Sequence, residues 1–241
     1  MGVFVYRGPL PSDSDMFRGR TDELRRLLRL CQREVEGYVI VYGGRQMGKT
    51  SLLLRLESQL PDTVRTCRLD FQGLPGATPL QVFTYLARRI GEGLPHLDAA
   101  TTGPVVRDAP SLIEFLGWAM DHPETGQVVL LLEELGALPP GSREDLAHVL
   151  RSVFTNRFDS FGQALTRLMV VLAGGIELYE LAATQVSPLQ NICEPIYLSD
   201  LSEQDAVDLV RDGVVSLGMA FQEGEDWGRE VFAHVGGHPY L

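Results

Sequence analysis

Residues 43–50 read G-G-R-Q-M-G-K-T and satisfy the spacing G-x-x-x-x-G-K-[ST]. No other segment of this 241-residue chain limits its fold so tightly. The octet works only between a strand and a helix, and its flanks supply both. "GYVIVYGG", residues 37–44, is a β-branched and aromatic run closed by glycines, as a buried strand leaving a sheet would be. "GKTSLLLRLESQL", residues 48–60, is helical in composition and stopped by Pro61. In such a turn, small residues let backbone N–H groups wrap a phosphate, while the new helix offers its unpaired amides and positive dipole end.

Lys49 is the only lysine; the other twenty basic side chains are arginine. A compact ammonium can slip between β- and γ-phosphates, where a wide planar guanidinium would clash with a tight loop. The expectation is a nucleotide-binding segment comprising Gly43, Gly44, Arg45, Gln46, Met47, Gly48, Lys49, Thr50 and Ser51. Lys49 is expected to act in catalysis as well, and Thr50 to offer its hydroxyl to Mg²⁺.

The rest of the chain alternates strands with helices, which implies an α/β parallel sheet. "DELRRLLRLCQREVE" carries Leu24, Leu27, Leu28 and Cys31 at helical spacing. "TVRTCRLDF" reads as a strand, "PLQVFTYLARRIGEGL" as a helix and residues 91–110 as a loop punctuated by Gly and Pro. "SLIEFLGWAMDH" reads as a helix with Ser111 and Glu114 at capping-box spacing. "QVVLLLEEL" is nearly unbroken in its apolar character, the mark of a strand buried on both faces. "SREDLAHVLRSVFTNRF" returns to helix, "RLMVVLAGG" to strand and "EPIYLSDL" to a last short strand. From Ser202 onward only helices follow. The expected organisation is a lead-in over 1–16, an α/β core carrying the octet over 17–200 and a small helical appendage over 201–241.

Glu133 and Glu134 follow "VVLLL" at the C-terminal end of a buried strand, where ligands gather in open α/β sheets. The first acid is expected to hold Mg²⁺ with Thr50, and the second to polarise the attacking water. Asp is the usual residue at the first position, and the longer Glu133 side chain predicts slow hydrolysis. Guanine readers of the common type use N-K-x-D, which needs a second lysine, so adenine is the expected base. No L-S-G-G-Q segment is present.

Thirty-two acidic against twenty-one basic residues give a net charge of −11, which repels phosphate backbones and disfavours non-specific nucleic-acid binding. Three widely spaced cysteines suggest neither a zinc site nor a disulfide framework and fit a reducing, cytoplasmic setting. No apolar run approaches the roughly 18 residues of a membrane span.

With these segments in order, the chain resembles the AAA-like domain of STAND-class P-loop ATPases, relatives of AAA+ and of the NB-ARC and NACHT switches. The resemblance rests on "DSDMFRGRTDEL", "RQMGKTSL", the acidic pair, "LRSVFTNR", "SPLQNI" and "GGHPYL". It implies a P-loop NTPase fold, a three-layer α/β/α parallel sheet with a small C-terminal helical lid. It places Phe17, Arg18, Gly19 and Arg20 beside the adenine, mostly through backbone contacts, and Pro239 and His238 on the nucleotide from the lid. Arg157, or alternatively Arg151, would be a sensor or an intersubunit finger. The polar sensor expected after "VVLAGG" is not evident.

The resemblance further implies ATP or ADP with Mg²⁺ as cofactors. Self-association would be controlled by nucleotide state, with effector and sensor modules attached, in bacterial signalling or antiviral defence. The family continues into a winged helix, so the stop at "HPYL" predicts a longer parent protein. Two other readings stay open: an AAA+-type remodelling ATPase, and a scaffold that holds ADP with little hydrolysis.

Overall fold

Among the described residues, five segments of six or seven residues form the strands of one sheet, and three of them are nearly continuous apolar runs. In the computed structural model, which describes residues 8–32, 37–97, 103–159, 162–184, 187–219 and 227–240, they are β1 (Tyr38–Gly43), β2 (Val64–Asp70), β3 (Gln127–Glu133), β4 (Leu168–Gly174) and β5 (Cys193–Leu198). Their order is β2-β3-β4-β1-β5, and the pairs β1 with β4, β2 with β3 and β3 with β4 are parallel. The α/β parallel sheet read from the sequence is the observed fold.

Among the described residues, eight α-helices precede, connect and follow the strands: α1 (Thr21–Cys31), α2 (Lys49–Gln59), α3 (Pro79–Gly93), α4 (Ala109–Asp121), α5 (Pro140–Asn156), α6 (Ile176–Ala183), α7 (Glu203–Ser216) and α8 (Trp227–Val235). Among the described residues none is long and apolar enough to cross a membrane. The predicted helix over 22–36 is observed to Cys31, and residues 33–36 lie outside the described residues, as do 225 and 226 ahead of α8. The cap expected at Ser111 sits three residues earlier. Asp108 is the N-cap, its carboxylate accepts from the Ser111 N–H, and Ser111 closes the capping box from the N3 position. The physical reason is Pro110, which needs no N–H bond in the first turn and so extends the helix backwards. Helix α6 has no counterpart in the sequence reading; its eight residues are too few for a periodic signal.

The chain divides into two compact units. The larger comprises residues 29–42 and 60–196. Its core is one continuous apolar cluster in which Ile40, Leu69, Leu130, Leu132, Val170 and Leu172 from four strands meet buried residues of α3, α4 and α5, among them Leu86, Leu116 and Leu150. Burying each such side chain contributes about 1.5–3 kcal/mol before chain entropy is subtracted.

The smaller unit comprises residues 1–28, 43–59 and 197–241. Residues 8–16, read from the sequence as a lead-in, are tied to α2 in this unit. The Leu10 N–H donates to Ser51 Oγ at 3.0 Å, and Arg55 donates to the carbonyls of Ser12 and Ser14 at 2.7 and 2.8 Å. Met16 is buried, and the Arg55 guanidinium lies 5.0 Å over the Phe17 ring. Ser202 caps α7, accepting from the Asp205 N–H. Helix α8 crosses α7 closely because Gly228 has no side chain; a Cβ there would come within 3.1 Å of the Val207 backbone.

Candidate functional site

The phosphate-loop octet leaves β1 at Gly43 and enters α2 at Lys49. Gly43 lies against Leu198, whose carbonyl oxygen a Cβ would meet at 2.8 Å, so glycine is required there by close approach. Two loop residues adopt left-handed backbone, Gln46 at φ 62° and Gly48 at φ 83°. Gly44, Arg45 and Gln46 are exposed, Gly48 and Thr50 half-buried, and Met47, Lys49 and Ser51 buried. Met47 is the buried side chain at the middle of the loop. Space around Gly48 is open, with no atom within 4 Å of where a Cβ would project.

Lys49 curls back over its own loop, donating from Nζ to the carbonyls of Gly43 at 3.1 Å and Gly44 at 2.7 Å. Its ammonium is thus held at the loop, where a phosphate would accept from it. The Thr50 hydroxyl and a carboxylate are hard oxygen donors, the type Mg²⁺ prefers. Among the described residues there is no cluster of three or more His, Cys, Asp or Glu side chains that could hold a metal by themselves. That is the expected situation for an ion bound largely through phosphates and water.

In the same unit Arg18 pairs with Asp212 of α7, with Nε donating to Oδ2 at 2.6 Å. Arg20 is buried, and its guanidinium donates to the Ser199 carbonyl at 2.5 Å and the Met47 carbonyl at 3.4 Å. Both arginine side chains are therefore engaged with protein groups, and the contacts expected of this segment with the adenine are mostly those of its backbone. Phe17 is half-buried under Arg55. At the C-terminal end Gly236 and Gly237 take φ 66° and 82°, and the Gly237 carbonyl accepts from the Leu201 N–H at 2.8 Å. This tie fixes the turn carrying His238 and Pro239, both half-buried.

In the larger unit β3 ends on Glu133, which is 5% exposed. Arg68 of β2 places Nη1 3.6 Å from its Oε1. Sequence reasoning missed Arg68: one arginine in an alternating strand carries no signal, and only the β2–β3 register brings it near the acid. Glu134 lies just past the strand in left-handed backbone, φ 57° and ψ 45°, and its N–H donates to the Ala173 carbonyl at 2.8 Å. A left-handed non-glycine residue costs roughly 1–2 kcal/mol and collects at functional positions.

Arg157 is buried, not a surface arginine. Its guanidinium stacks over Tyr38 and Phe154 and donates to the Leu168 carbonyl. Burial holds its pKa below the ordinary arginine value, although the charge of Tyr38 opposes the shift. Arg151 is exposed and donates to the Gln190 carbonyl at 2.8 Å.

No protein-family model matches the chain, and no curated protein does. Solved structures do. The Walker-type ATPase PABY2304 of Pyrococcus abyssi superimposes with a TM-score of 0.71 at 16% identity, covering 98% of this chain and 69% of that one. The ORC2 protein of Aeropyrum pernix, in ADPNP and ADP complexes, gives 0.63 at 14%, covering 97% and 60%. The A. pernix ORC1 protein in complex with DNA gives 0.56 at 19%, covering 86% and 51%. This chain thus spans between half and about two thirds of the length of these proteins. At such identities the likeness is one of fold, and that fold is the one found in Walker-type ATPases.

Proposed function

We propose that this chain is an ATP- and ADP-binding molecular switch of the STAND type, with slow Mg²⁺-dependent hydrolysis. Its nucleotide state would govern self-association and, through that, an attached effector. The observation that carries the reading is the octet itself: left-handed Gln46 and Gly48, open space over Gly48, and a buried Lys49 at the head of α2. Mg²⁺, when bound, would neutralise phosphate charge and polarise the transferring group.

In this reading the loop amides and Lys49 hold and orient the phosphates. Thr50 and Glu133 supply oxygen donors to the ion, and the Glu134 carboxylate orients a water and takes its proton. The segment from Phe17 to Arg20 borders the adenine through its backbone, and His238 and Pro239 report the nucleotide from the lid turn. Glu133 in place of the usual Asp is the reason for expecting slow turnover.

The test is light scattering on purified protein with ADP, with Mg-ATP, and with Mg-ATP on Glu134→Gln. A larger species with ATP, trapped by Glu134→Gln and reversed by ADP, is the expected result. A single size in all three conditions contradicts the switch.

A second reading, a remodelling ATPase, is favoured by the likeness to ORC-type structures, one of them solved in complex with DNA. It predicts steady ATP turnover that rises with duplex DNA or a protein partner. The net charge of −11 opposes the DNA version, and turnover unchanged by DNA at low salt removes it.

A further inference from the structure

The Gly19–Arg20 turn does more than border a ligand. Both residues are left-handed, at φ 65° and 60°. A Cβ on Gly19 would stand 2.8 Å from Leu201 Cδ2 and 3.4 Å from the Asp205 carboxylate, so the turn is pressed against the start of α7. A left-handed arginine is unfavourable in itself, and the turn keeps it because this backbone carries the guanidinium inward. There Nη2 meets the carbonyls of Ser199 and Met47, and Nη1 lies 3.5 Å from Glu23 Oε1.

Met47 stands between the two left-handed residues of the phosphate loop. Because the peptide unit is planar, the direction of the Met47 carbonyl dictates the direction of the Gly48 N–H on the same plane. A donor holding that carbonyl on one side therefore points the amide to the other.

We propose that Arg20 is a positioning residue for the phosphate loop, holding the Met47 carbonyl so that the Gly48 N–H points into the anion cup. This rests on the nucleotide-binding reading above and adds a different role for Arg20 from a place beside the base. Arg25 is the internal control, an exposed arginine of α1 that pairs locally with Asp22.

The experiment titrates ADP and, separately, inorganic tripolyphosphate into the wild type, Arg20→Met, Arg20→Lys and Arg25→Ala, below the melting temperature of each. Losing a charge-assisted hydrogen bond that organises the cup predicts weakening by about tenfold or more for both ligands in Arg20→Met. Arg20→Lys keeps the charge but not the planar fork, and is expected to recover affinity only in part. Arg25→Ala stays within about twofold. In amide NMR spectra of the free protein, the Gly48 resonance moves in both Arg20 variants and not in Arg25→Ala, a change that general loss of stability does not produce.

Weakened ADP binding with unchanged tripolyphosphate binding would assign Arg20 to the base and overturn the proposal. So would wild-type affinity in Arg20→Met, or an unmoved Gly48 amide. A wild type that binds neither ligand overturns the nucleotide-binding reading itself. If Arg20→Met does not fold, Arg20→Lys carries the same comparison.

Discussion

Different physics holds the interior of each of the two units. The larger has a sheet whose strands lie in one apolar cluster with three helices, and its buried cation Arg157 is housed between aromatic rings. The smaller has apolar contacts too, but its separate stretches of chain are joined by arginines donating to distant carbonyls and carboxylates. Arg55 reaches Ser12 and Ser14, Arg20 reaches Met47 and Ser199, and Arg18 reaches Asp212. Close packing resists change of any kind, whereas directional polar ties can be exchanged one at a time at modest cost. The part proposed to respond to nucleotide is the part built from exchangeable contacts.

The sharpest challenge to that contrast is a cavity in the larger unit. Leu130→Ala on β3 should destabilise the protein by about 2–5 kcal/mol in urea unfolding, because a fully buried side chain leaves a void in a close-packed core. A loss under about 1 kcal/mol would mean that the core does not dominate there. Arg55→Ala should cost about 1–2 kcal/mol, since its two carbonyl bonds are only partly buried. Its signature is local: faster amide exchange over residues 8–16 with β3 protection unchanged. Equal loss of protection in β3 would erase the distinction.

Glu134→Gly should raise stability by about 1 kcal/mol by relieving the left-handed strain, while abolishing turnover. A destabilised variant would show that the side chain holds the loop for structural reasons.

The smallest effect concerns Asp108. Hydrogen bonds from the Ser111 side chain and backbone hold its carboxyl below the usual 3.8. The folded value is depressed, so the cap's contribution is present above about pH 4 and fades as pH falls through the lower folded value. Asp108→Ala should lower the melting temperature slightly at pH 7 and by progressively less as the pH is lowered; a pH-independent difference would contradict the cap.

The same contrast explains what could be read in the sequence. The strands of the larger unit were legible because burial on both faces leaves runs such as "VVLLL", and the octet because its chemistry is local. The polar ties were not. Arg20 and Ser199 are 179 residues apart, and no composition rule connects an arginine to a particular carbonyl. Arg157 misled for a related reason: an arginine following an amphipathic helix looks exposed until the aromatic rings around it are placed. Glu133 and Glu134 could be read as a pair, but Arg68 beside the first and the strained backbone of the second come from strand register and loop closure.

On the proposed function, the octet binds a nucleotide's phosphates through a geometry only lysine satisfies at position 49. The decisive experiment is calorimetric titration of Mg-ATP and of ADP into the wild type, Lys49→Ala and Lys49→Arg. The wild type is expected to bind at high-micromolar concentration or tighter, and both variants, arginine included, to lose at least about tenfold. Wild-type protein that binds neither nucleotide, or Lys49→Arg that binds as tightly as the wild type, would contradict it.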